Sequence, residues 1–188
     1  MSSRTPTGVL REQHRRILKI ADVLEEVLSR EPEADGLDYD AVAECARFIR
    51  LYADALHHGK EENLLFVELE ERGMSRTEGP LAVMLFEHQV GRGHVRAIEE
   101  ALPAARDGDE EARRRMVRAG MDYVELIRGH IRKEDHVLFN WADQMIDPAS
   151  CAVLCGHYDE VCRRAFDGCT VAELEGILAG LQARYPDA

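Results

Sequence analysis

His57-His58-Gly59-Lys60-Glu61-Glu62-Asn63-Leu64-Leu65-Phe66 decides how the chain is read, because it returns in altered form as His130-Ile131-Arg132-Lys133-Glu134-Asp135-His136-Val137-Leu138-Phe139. Both copies run His, two residues, Lys, Glu, a second acid, any residue, an aliphatic residue, Leu and Phe. On an α-helix, residues four apart share a face, so each copy presents an imidazole beside a carboxylate. Two such pairs make half of a metal cage. Aligning Leu65-Phe66 with Leu138-Phe139 matches His57 to His130 and Glu61 to Glu134, while His58 is matched by Ile131. His58 is therefore expected beside the site, as a neighbour or an additional ligand.

Working outward, the chain reads as helix after helix. Val9, Leu10, Ile17, Ile20, Ala21, Leu24, Val27 and Leu28 recur at three and four, predicting a first helix from Thr7 or Gly8 to about Arg30, with His14 on the inward edge of its stripe. Residues 31–37 form a polar stretch rich in breakers. A second helix, capped by Asp38, carries Val42, Cys45, Phe48, Ile49, Tyr52, Leu56 and the first motif, and closes at Arg72-Gly73. A third begins near Pro80, places Leu81, Met84, Leu85 and His88 on one face, and ends at Pro103 and Asp107-Gly108. Gly91 and Gly93 inside it cost roughly 1 kcal/mol each against alanine, which calls for close helix approach or room beside a site. A fourth begins at Asp109, carries Met116, Met121, Tyr123, Val124, Ile127, the second motif and Trp141, and breaks at Asp147-Pro148. Two shorter helices follow, at about 149–166 and 170–184. With no strand signals, the expected fold is all-α: an antiparallel up-down four-helix bundle over residues 1–146, with residues 147–188 a helical appendage packed on the same domain.

Composition limits the function. The 188 residues suit one domain with a sizeable core. A formal charge of −12 disfavours nucleic acid and anionic membrane surfaces, both of which need a Lys/Arg-rich face. No apolar run approaches the roughly 18 residues of a membrane span, and the first residues have no signal-peptide core, so a cytoplasmic protein is expected, as a monomer or weak homo-oligomer. Cys45 stands alone, while Cys151, Cys155, Cys162 and Cys169 crowd the C-terminal part. In a reducing compartment these are thiols that pack as small hydrophobes.

Each of the four long helices supplies an inward ligand-type group: His14, then His57 and Glu61, then His88, then His130 and Glu134. Four imidazoles and two carboxylates are too many for one tetrahedral zinc and lack the thiolates a soft ion prefers. Two ions bridged by carboxylates satisfy the set, with iron the favoured occupant and manganese or zinc as substitutes.

At these residues the sequence resembles the hemerythrin family, specifically HHE cation-binding, hemerythrin-like domains. The resemblance rests on His14, His57-x3-Glu61, Glu87-His88-x3-Arg92 and His130-x3-Glu134 with their Leu-Phe tails, and covers about residues 8–146. It implies that His14, His57, His88 and His130 are terminal ligands, and that Glu61 and Glu134 bridge two irons around an oxo, hydroxo or water ligand. The family's oxygen carriers place a second His one turn after the third-helix His, where this chain has Arg92. Four assured imidazoles leave more positions open, which implies a redox protein acting on dioxygen, hydrogen peroxide or nitric oxide in oxidative stress, a di-iron oxidoreductase of peroxidase-like, catalase-like or NO-reactive type. The other reading is a non-catalytic iron or oxygen sensor, or an iron store. Arg92 is expected to pair with a bridging carboxylate or with Glu87, or to lie at the surface. Tyr123, two turns before His130, points inward as core or as a donor to a bound oxygen species.

Overall fold

The computed structural model of the chain describes residues 4–29 and 36–188. Arg30 and most of the breaker-rich stretch read at residues 31–37 lie outside the described residues. Among the described residues 84% are helical, and the only β pairing is one bridge between Phe166 and Cys169.

Helix α1 spans Pro6–Ser29. Helix α2 runs without a break over residues 39–71. Its cap is the expected one: Asp38 accepts from the Ala41 N–H, satisfying an amide that the first turn leaves orphaned. Helix α3 is Gly79–Arg106, with Pro103 accommodated inside its last turn rather than ending it. Helix α4 covers residues 110–145, opened by Asp109 accepting from the Glu111 and Ala112 amides. Gly73 and Gly108, at φ of +96° and +95°, take the left-handed conformation that ends α2 and α3. The tail forms α5, Pro148–Cys162, and α6, Val171–Arg184, the latter opened by a reciprocal Thr170–Glu173 capping box.

The two motif-bearing helices are not uniformly α. In α2 the turns widen to i→i+5 bonding over Ile49–His58 and again over Glu61–Leu65. In α4 the same happens over Glu134–Leu138, so the motif glutamate opens a widened segment in both copies. Such turns concentrate at functional sites because they re-aim side chains within an otherwise straight helix.

Two separate apolar clusters form the core. One holds Ile17 to Leu28 of α1, Ala41 to Leu56 of α2, Val95 to Ala105 of α3 and Ala112 to Ile131 of α4. The other holds Leu10, Leu65, Phe66, Leu69, Leu81, Met84, Leu138, Phe139, Ala142 and Ile146. On α1, α2 and α3 the ligand-type residues fall between the contributions to the two clusters, and on α4 they do so except that Ile131 of the first cluster comes between His130 and Glu134. The order in which the clusters are met reverses from each helix to the next. The tail closes both, with Leu174, Leu178 and Leu181 of α6 in the first and Leu154 and Tyr158 of α5 in the second.

One expectation is corrected, that both Gly91 and Gly93 are compensated. Gly93 is exposed, with open space where a Cβ would stand, so nothing compensates its helical cost. The close approach falls instead at Gly120, where a Cβ would sit 2.3 Å from Leu28 Cδ1.

Candidate metal centre

Between the two clusters lies a layer of His14, His57, His58, His88, His130, Glu61 and Glu134, all buried. It divides into two groups whose ligand atoms lie within 4.8 Å of one another: His58, His88, His130 and Glu61 in one, His14, His57, Glu61 and Glu134 in the other. Glu61 belongs to both. The Nε2 atoms of His57 and His88 stand 3.4 and 3.5 Å from its two oxygens. Glu134 Oε2 is 3.1 Å from His14 Nε2 and 3.3 Å from His130 Nε2, and its other oxygen is 4.0 Å from His88 Nε2. All six residues expected as ligands are thus brought together, and His58 joins them. The layer holds five imidazoles, three in one group and two in the other.

Aligning the two copies leaves His58 as a neighbour or an additional ligand, because Ile131 stands at the matching place. The widened segment ending at His58 lets His57 and His58 both face inward, and the His58 ring stacks on His88 with centroids 3.8 Å apart.

Every one of the five rings is held from behind at Nδ1. His14 meets Asp135 at 2.8 Å, His57 meets Gln13 at 3.2 Å and His58 meets Asp54 at 3.2 Å. His88 meets Glu62 at 2.7 Å and His130 meets Glu87 at 3.0 Å. An Nδ1–H donating outward fixes the tautomer and leaves the Nε2 lone pair directed at the layer, the arrangement metal-bound imidazoles require. The repeated motif now explains itself. In the first copy the second acid, Glu62, holds His88, and Phe66 stacks against the same ring at 6.0 Å. In the second copy Asp135 holds His14, and Phe139 stacks against it at 5.3 Å. Each copy therefore supplies its own His/Glu pair and also aims the lone histidine of another helix.

Three of these acceptors, Asp54, Glu62 and Glu87, are held anionic. Burial works to raise Asp54, but His58 and Arg92 hold it at about 2. Glu62 and Glu87 are likewise below the usual carboxylate range against the pull of burial, through His88 with Arg92 and His130 with Lys133 respectively. Arg92 pairs with neither a bridging carboxylate nor Glu87 and is half-buried: it donates to Asp54 and Glu62, each at 2.8 Å, tying together the acceptors of His58 and His88. Glu87 pairs with Lys133 instead. Gln13, Asp54, Glu62, Glu87 and Asp135 were not singled out as outer acceptors, although four of the five stand one residue from a ligand.

The layer itself is short of positive charge. Burial, then the facing Glu134 carboxylate, pushes Glu61 well above the usual range. Glu134 is held below it, against burial, by His130 and His14. Both oxygens of Glu61 and of Glu134, and Nε2 of His14 and of His58, are buried without a hydrogen-bond partner. Buried polar atoms are normally paired, and orphaned lone pairs converging on shared points are what cations would satisfy. The set is all nitrogen and oxygen, suiting borderline ions such as iron, manganese or zinc.

A cavity of about 200 Å³ adjoins the layer at His58, with Asp54, Gly91, Arg92 and Tyr123 on its wall. Gly91 is the glycine that leaves room: a Cβ there would come within ordinary contact, 3.7 Å, of the Tyr123 ring. Tyr123 points inward as expected, its hydroxyl buried and without a partner, and burial raises its pKa. Tyr158, from α5, also has a buried, unpartnered hydroxyl, and burial followed by the Glu61 charge raises its pKa. The α5 reading gave no sign of it. His94, His136 and His157 stay outside both groups.

The profile of the hemerythrin HHE cation binding domain matches residues 5–142. Two uncharacterized proteins, one of Mycobacterium tuberculosis and one of Mycobacterium bovis, are each 28% identical to the chain over 134 residues, 71% of its length. That stretch is 51% of either relative, so the chain spans about half the length of the curated relatives it matches. No solved structure matches the chain. No helix is long and apolar enough to cross a membrane, among the described residues.

Proposed function

The chain belongs to the hemerythrin HHE cation-binding family, and from that premise we propose that its buried layer holds two iron ions and reacts with dioxygen, hydrogen peroxide or nitric oxide. In this reading α1 to α4 are the family's antiparallel up-down bundle over residues 1–146, and residues 147–188 cover it as part of one domain. His58, His88 and His130 hold one ion and His14 and His57 the other, with Glu61 and Glu134 shared between them. The observation that supports it most is the layer of orphaned, mutually facing Nε2 and carboxylate atoms, each ring locked from behind.

When bound, two ferrous ions supply electrons to a small oxidant or a coordination position to nitric oxide. The chain does the rest. Glu61 and Glu134 balance the charge of two dications, the outer acceptors hold the rings in register, and the flanking apolar clusters keep bulk water away. Tyr123, with an unused hydroxyl at the cavity, is placed to donate a hydrogen bond to a guest molecule.

The three-and-two distribution of imidazoles favours a second reading, reversible dioxygen binding, because His58 supplies the fifth imidazole that Arg92 cannot. Anaerobic ferrous protein exposed separately to dioxygen, hydrogen peroxide and nitric oxide, followed by optical spectroscopy, separates the two. Fast irreversible oxidation or peroxide turnover supports the redox reading, and a stable oxygenated band lost under vacuum replaces it with carriage. A Tyr123→Phe protein that reacts at the wild-type rate removes Tyr123 from the account.

A further inference from the structure

The motif lysine is used differently in the two copies. Lys133 is half-exposed and pairs with Glu87. Lys60 is fully buried, and among the described residues no carboxylate lies within salt-bridge distance of it. Its Nζ donates to Cys162 Sγ at 3.2 Å and sits 5.4 Å from the centre of the Tyr158 ring. Sulfur is a weak acceptor for a buried amine, which a carboxylate or carbonyl would stabilise better, so the pairing of Nζ with Sγ is unusual.

Cys162, the last residue of α5, is half-buried and also faces outward, lining an open cleft with Arg4, Gln13, Tyr52 and Glu175. The other thiols lack this combination. Cys45 is wholly buried, Cys151 and Cys155 face the backbone carbonyls of Ile146 and Arg4, and Cys169 meets the Arg47 guanidinium, a poor nucleophile.

We propose that Lys60 and Cys162 are an oxidative modification site, at which a hydroperoxide arriving through the cleft joins Sγ to Nζ in a reversible sulfenamide bond. Cys162 Sγ attacks the terminal peroxide oxygen. The O–O bond breaks, an S–O bond forms, and the thiol proton leaves with the alkoxide as an alcohol, or as water when the oxidant is hydrogen peroxide. Sulfur has then lost two electrons to the peroxide. Lys60 Nζ next attacks Sγ, the S–N bond forms as the S–O bond breaks, and the departing hydroxide takes an Nζ proton to leave as water. A thiol reductant reverses the change by attacking sulfur. The 3.2 Å separation is already a near-attack distance, so ring closure outruns further oxidation of sulfur. The bond would fasten the end of α5 to the turn between His58 and Glu61. The proposal needs no metal and stands apart from the di-iron reading.

The test uses the full chain, metal-free and iron-loaded, treated with hydrogen peroxide, blocked with an alkylating agent and digested without reductant. Mass spectrometry is expected to find the Lys60 and Cys162 peptides joined, two hydrogen atoms lighter than their sum, separated by dithiothreitol and absent from Cys162→Ser. Recovery of Lys60 free with Cys162 as a sulfinic acid or an unreacted thiol overturns the proposal. A joined pair that retains an oxygen atom overturns the S–N assignment.

Discussion

An imidazole binds a metal through one nitrogen, and whatever holds the other nitrogen decides where the ring points. Here Asp135, Gln13, Asp54, Glu62 and Glu87 each hold one ring, so the first-order requirement for a precise site is met on all five. The inward ligands were legible because His and Glu at helical spacing announce themselves. The acceptors were legible only as the unexplained second acid of the motif, since what Glu62 and Asp135 do depends on which helix lies opposite. Replacing Glu62 with Gln removes the anion shared by His88 and Arg92, and is expected to weaken iron binding about 10–100-fold in a chelator competition. Asn63→Ala, a change at a side chain that only reaches back to the Gly59 carbonyl, is the control. Equal affinity in the two variants would remove the acceptor from the account.

At the scale of the helix, caps and breakers were readable because they act locally: Asp38, Asp109 and Asp147 each accept the orphan amides of the turn they open. The widened turns were not readable, because an i→i+5 segment is chosen by packing around the site and leaves no composition signal. That is why aligning the two motif copies left His58 only as a neighbour or an additional ligand, and why five imidazoles meet where four were assured. Gly93 offers a clean measurement on one helix. With nothing near its missing Cβ, Gly93→Ala is expected to stabilise the protein by about 0.5–1 kcal/mol in a urea titration, through helix propensity and a less flexible unfolded chain. A destabilisation would mean that α3 needs its flexibility at that point.

Across the whole molecule, a polar layer is buried between two apolar clusters that could hardly tolerate it without compensating charge. The apolar helix faces were foreseeable from periodicity, and so was the convergence of ligands. The placement of α5 and α6 over both clusters was not, because their stripes are short and the contacts lie far off in sequence. If cations complete the layer, binding and folding are coupled, and a free ion at ~1,000 times its Kd adds about 4 kcal/mol of stability. The most direct test of this account is the iron content of the full-length protein, loaded anaerobically with ferrous iron, freed of loosely bound metal and compared with a His57→Ala/His130→Ala variant. The account predicts two ions per chain in the parent protein and a large loss in the variant. One ion or fewer in the parent, or an undiminished content in the variant, would contradict it.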